Sequence, residues 1–242
     1  MRQLRVRGAL VPHAPLLLPD VSGDVALQAS EVTAAVRALK LGDAALVIVS
    51  PHGARSGIYG SVAGSLGPQG ASHVGVAVAT DEDLIAKLAA GTGLPVLEAE
   101  ADHGIVVPLL LLSKRPRFVV AITVVTEADA KNVAGAVETV VMDGTDLTVI
   151  ASVTTSAALD SHAPLTYRPD AERVEKELLA HLPEDAAAAA NLAGELESVG
   201  GSCSAAPLVA FGTLFSGCPV HIHAYGHPFG VGYLVATSER DV

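Results

Sequence analysis

Two kinds of stretch alternate along the chain. Continuous apolar runs at 43–49, 118–125 and 147–153 have the length and composition of strands buried on both faces. Residues 4–11 read as a further strand ending at Pro12-His13, and residues 73–79 alternate as a half-buried strand would. Between them lie helical patterns at 21–40, with Ser22 as the expected N-cap, and at 82–91, capped by Thr80-Asp81-Glu82. Further helices are predicted at 105–112, 127–141, 169–182, 184–196 and 205–215, and closing strands at 220–224 and 231–237. The Ala-rich run at 186–190 favours helix, since Ala is the strongest helix former. No Pro/Gly/Ser linker and no fixed-period repeat divides the chain. The alternation predicts one α/β domain over residues 1–242, with a mostly buried central sheet flanked by helices.

Composition sharpens this picture. Half of the 242 residues are hydrophobic, but only 3% are aromatic and none is Trp, so the core must be built from Ala, Val and Leu. The balance of 15 basic against 26 acidic residues gives a net charge of −11, which disfavours nucleic acid and anionic membranes as partners. No apolar run reaches the roughly 18–20 residues that span a bilayer. Residues 1–7 carry Arg, but Pro12-His13 follows soon after, a poor signal peptide. Two cysteines, Cys203 and Cys218, make no disulfide framework, so a reducing cytoplasm is the expected compartment. A homo-oligomer is the expected assembly.

The chemistry rests on histidines. His13 and His52 each follow a Pro at the end of a predicted buried strand, the end where open α/β sheets bind ligands. Together they could share a metal; separately, each would serve as a capping or loop histidine. His103 follows Asp102 at the start of an apolar helix, where the carboxylate could orient the imidazole or only cap the helix. Cys203, in Gly200-Gly201-Ser202-Cys203-Ser204 before another apolar helix, reads as a metal ligand, a nucleophile or a core residue. Glu197 is the other ligand nearby. His221, His223 and Tyr225 would share one face of a strand, as a metal site or as the polar face of an edge strand. Phosphate-loop, dinucleotide and nucleophile-elbow signatures are absent.

Taken in order, these segments resemble class III extradiol ring-cleavage dioxygenases, relatives of the protocatechuate 4,5-dioxygenase β subunit. The resemblance is carried by Val11-Pro12-His13-Ala14-Pro15, Ser50-Pro51-His52-Gly53, Asp102-His103-Gly104 with Val107-Pro108-Leu109, and the ending Tyr225-Gly226-His227-Pro228-Phe229-Gly230. It implies a single α/β domain and Fe(II) held by two His and usually one Glu, open to a catechol-like aromatic substrate and dioxygen. On that resemblance His13 and His52 are metal ligands, and His103 is an acid/base or substrate-orienting residue.

Two departures from the family pattern stand out. The usual Glu ligand is not evident, and Cys203 takes the position of a Cys found in one branch and in the related Memo proteins. A thiolate is softer than a carboxylate, so Zn(II) or another divalent ion becomes an alternative to Fe(II). The family's catalytic His falls on Ala157, whose methyl group cannot transfer a proton; His162, five residues on, is a candidate substitute. Two readings follow: Fe(II)-dependent oxygen insertion into a catechol-like substrate, or a Memo-like metal-binding or scaffold protein that has lost ring cleavage.

Overall fold

A computed structural model describes residues 5–42 and 44–241. Residues 1–4, which include the expected strand start at Leu4 and most of the segment read as a poor signal peptide, lie outside the described residues. So does Asp43, the expected start of the second strand. An eight-stranded mixed sheet forms the centre, in the order β6-β3-β7-β2-β8-β1-β10-β9. Its strands are β1 (Arg5–Val11), β2 (Ala45–Ser50), β3 (Gly57–Tyr59), β6 (Val96–Leu97), β7 (Val119–Thr123), β8 (Leu147–Ser152), β9 (His221–Gly226) and β10 (Tyr233–Asp241). The four central strands β7, β2, β8 and β1 run parallel. They are the continuous Val/Ile/Ala runs of the sequence, apolar on both sides because both faces are covered. A separate antiparallel pair, β4 (Val62–Leu66) and β5 (Ala71–Val78), lies outside this sheet.

Helices cover both faces. One apolar layer packs α3 (Glu82–Thr92), α5 (Glu127–Met142), α6 (Pro169–His181), α7 (Ala187–Gly200) and α8 (Ala205–Leu214) on the sheet. The other packs α2 (Ser30–Ala38), α4 (His103–Leu111) and the β4–β5 pair. Aromatic side chains are scarce in both layers; the Phe211 and Phe215 rings, tilted with their centroids 4.9 Å apart, are the main aromatic mass under β1. Among the described residues no helix is long and apolar enough to cross a membrane.

One expectation needs correction, and two features of the topology were not part of the sequence reading. The helix expected at 21–40 is broken: a short turn, α1 (Pro19–Ser22), leads into 3-10 helix over Gly23–Ala29 before α2 begins. Gly23, at φ 58° and ψ −134°, adopts a positive-φ conformation open to glycine that ends the first turn. Ser22 accordingly does not cap a helix; its hydroxyl donates to the carbonyls of Leu16 and Leu18. The strand expected at 73–79 forms, as β5, but in the outlying pair rather than in the central sheet. The glycine-rich segment after residue 56 supplies β3 and β4, which hydrophobic patterning did not signal.

Candidate metal centre

Three chain segments far apart in sequence meet at the carboxyl ends of the central strands. His13 lies two residues beyond β1, His52 two beyond β2, and Cys203 in the loop between α7 and α8. The ligand atoms of these three residues all lie within 4.8 Å of one another, so the group could hold a metal ion. Cys203 Sγ is 3.5 Å from His13 Nε2 and 3.9 Å from His52 Nε2. Bond lengths of about 2.3 Å to sulfur and about 2.0 Å to nitrogen place tetrahedral ligands about 3.5 Å apart, so the spacing fits one shared ion. His13 is buried, His52 half-buried and Cys203 exposed, which leaves the group open on the thiol side.

Local hydrogen bonds set each ligand. Gly201, at φ 65°, closes α7 in a left-handed cap and turns the chain toward the site. The buried serines on either side of Cys203 then grip one residue: Ser202 Oγ donates to the Thr154 carbonyl at 2.8 Å, and Ser204 Oγ accepts from the Thr154 amide at 2.9 Å. Thr154 Oγ1 itself lies 3.7 Å from the thiol. On the His52 side, Ser50 Oγ accepts the His52 amide at 3.2 Å, and Thr123 donates to the His52 carbonyl at 2.6 Å.

Asp102 ties these parts together. Its Oδ1 accepts the Ser50 hydroxyl at 2.9 Å and the Gly104 amide at 2.7 Å; its Oδ2 accepts the Tyr59 hydroxyl at 3.0 Å. It therefore caps α4 and braces the His52 turn at once. Pro108 in α4 offers no amide to the Gly104 carbonyl, which is accepting instead from Ser152 Oγ at 2.6 Å. The helix start is thereby fastened to the end of β8.

His103, next to the cap, places its ring 3.9 Å from that of His52 and 5.8 Å from that of His13. Burial pushes the imidazole pKa values down. His13 falls well below the ordinary range, with further lowering from His52 and His103, and His52 falls to about 4, with His103 contributing. His103 is also lowered by burial, against the pull of Asp102. Three mutually close, neutral imidazoles keep nitrogen lone pairs free for a metal. His13 Nδ1 is buried without a hydrogen-bond partner, so packing rather than a carbonyl or carboxylate orients that ring.

The other predicted residues lie elsewhere. His162 sits on the surface with its side chain 87% exposed, next to Ser161 and Asp160, and is not gathered with the three imidazoles. Ala157 donates its amide to the Gly200 carbonyl. Glu197 is exposed on α7 and does not join the ligand group. His221 and His223 face each other at 4.5 Å on β9, which is an edge strand, and His223 Nε2 bonds Thr237 at 2.8 Å. Sequence reasoning missed Ser50, Tyr59, Ser202 and Ser204. The two serines bracketing Cys203 were a visible signal, whereas Tyr59 reaches Asp102 only through the fold.

No family model matches the chain. A curated relative, Protein CA_C1420 of Clostridium acetobutylicum, is 28% identical over 279 aligned positions. The match takes in 95% of this chain and 56% of that protein, so the chain spans about half the relative's length. Among solved structures, the chain is similar to the crystal structure of an uncharacterized protein, JW3007, from Escherichia coli K12. The TM-score is 0.63 at 16% identity, covering 98% of this chain and 99% of that one. At that identity the likeness establishes a shared fold.

Proposed function

We propose that the chain is a mononuclear metal protein of class III extradiol dioxygenase descent, with a divalent transition metal on His13, His52 and Cys203 and open positions facing a catechol-like ligand. The observation that carries this reading is the convergence of two imidazoles and a thiol, from three distant segments, to within 4.8 Å. When bound, a divalent ion supplies Lewis acidity toward the two oxygens of a catecholate. The protein's own part is to hold two neutral imidazoles and a braced thiol at fixed spacing. On this reading His103, whose ring lies 3.9 Å from that of His52, would take a proton from a bound phenol.

The thiol ligand, the methyl group at Ala157 and the outward His162 favour metal binding without ring cleavage. Turnover is the second reading, and His103 favours it. The test is anaerobic loading with Fe(II), addition of catechol, then air, with absorbance followed for a ring-opened yellow product. We expect one ion per chain in the wild type and none in His13→Ala or His52→Ala. Stoichiometric binding in both variants would overturn the site. Yellow product that vanishes with His13→Ala would establish ring cleavage in place of ligand binding alone.

A further inference from the structure

A cavity of about 750 Å3 opens at the amino ends of the central strands, within the size range of small-molecule sites. Its walls come from the turn after α2, the loop between α4 and β7, and Leu46 and Thr148 near the starts of β2 and β8. The metal group lies past the other ends of the same strands, so the two places are on opposite edges of the sheet. The Thr148 hydroxyl donates to the Leu41 carbonyl at 2.7 Å and ties the turn after α2 to β8.

The charge of this cavity runs against that of the chain. Four of the 15 basic residues, Lys40, Lys114, Arg115 and Arg117, line it in a protein of net charge −11, and its described lining holds no Asp or Glu. Lys114 is engaged in an interaction of its own. Lys40, Arg115 and Arg117 are exposed, and among the described residues no carboxylate pairs with them. Elsewhere Arg5, Arg7, Lys131, Arg173, Lys176 and Arg240 each have a carboxylate within ion-pair distance. The Arg117 guanidinium lies 5.1 Å from the centroid of the Phe118 ring, which positions it without neutralising it. Part of the clustering serves the helices, since α2 and α4 end here and helix C-termini favour nearby cations. Arg117 lies beyond the last turn of α4, so helix capping does not account for it.

These features select a ligand class. Guanidinium forks match the oxygens of a phosphate, and three unpaired cations suit a dianion better than a single carboxylate. Leu39, Leu41, Leu112 and Pro116 add an apolar wall beside the cations. We propose that this cavity binds a small organic phosphate monoester, its phosphate held by Arg115, Arg117 and Lys40 and its organic part lying on the leucines. The inference does not depend on the metal site.

The test is titration calorimetry of the whole chain with n-hexyl phosphate, n-hexanol and inorganic phosphate, at neutral pH and at low and high ionic strength. We expect saturable binding of hexyl phosphate that weakens as salt is raised, with the alcohol and inorganic phosphate each at least roughly tenfold weaker. Changing Arg115→Gln and Arg117→Gln together should weaken binding roughly tenfold or more. Ser113→Glu, which adds a carboxylate to the lining, should do the same. All three positions are exposed, so circular dichroism should stay that of the wild type. His13→Ala, which removes a metal ligand, should bind hexyl phosphate as the wild type does. Absent saturable binding, equal binding of the alcohol or of inorganic phosphate, affinity unchanged in the double variant or in Ser113→Glu, or binding lost in His13→Ala would overturn the proposal.

Discussion

Glu175 makes the stability of this protein pH-dependent in a way that one substitution isolates. Its carboxyl titrates at about 7 in the fold, against an ordinary value of 4.5. The folded state thus holds this proton more tightly than the unfolded chain does. The resulting stabilisation is present in full below pH 4.5 and is lost as pH rises from there through 7. The gap between the two values corresponds to about 3 kcal/mol, and the side chain is too deeply buried for solvent screening to discount it much. Gln keeps the size and an acceptor for Thr155 but does not titrate. Glu175→Gln should therefore match the wild type near pH 4.5 and exceed it by about 3 kcal/mol at pH 8, a rise of about 6–12 °C in Tm. The assay is urea denaturation of both proteins from pH 4.5 to 8. Titration of the imidazoles is common to both and cancels in the difference. A difference that stays constant across that range would refute the reasoning, because the ionisation of Glu175 would then cost the fold nothing.

Other residues give separate tests. Cys203→Ser should weaken Co(II) binding tenfold or more and remove any thiolate charge-transfer absorption; an unchanged spectrum would exclude Cys203 as a ligand. Asp102→Asn should loosen both the His52 turn and the start of α4, lowering metal affinity on the order of 10–100-fold while far-ultraviolet circular dichroism is retained. Gly8→Ala should cost about 1–3 kcal/mol in denaturant unfolding, because a methyl group on β1 would run into the Phe215 and Phe211 rings. Full stability of that variant would mean that the aromatic pair can move aside.

The strands and helices of the central sheet were legible because their signals are local. The continuous apolar runs of β2, β7 and β8 announce burial on both faces, and Asp81 and Thr126 cap α3 and α5 as short polar residues before apolar periodicity do. His13, His52 and Cys203 stood out for the same reason, since each lies just past a strand or before a helix. Pairing is not local. Nothing in the residues of β5 says that it joins β4 outside the main sheet, and the helical pattern over 21–40 does not show that Gly23 adopts a positive φ and breaks it. Distance is not local either. His162 and Glu197 carry the right chemistry close to the site in sequence, but one is exposed at a turn and the other on the outer side of α7. The reach of Asp102 to Ser50 and Tyr59, the grip of two serines on Thr154, and the burial of Glu175 beside Tyr225 exist only once separate segments share one volume. Residue type is written in the chain; burial, spacing and the field at a side chain are properties of that packing, and they set which groups act together.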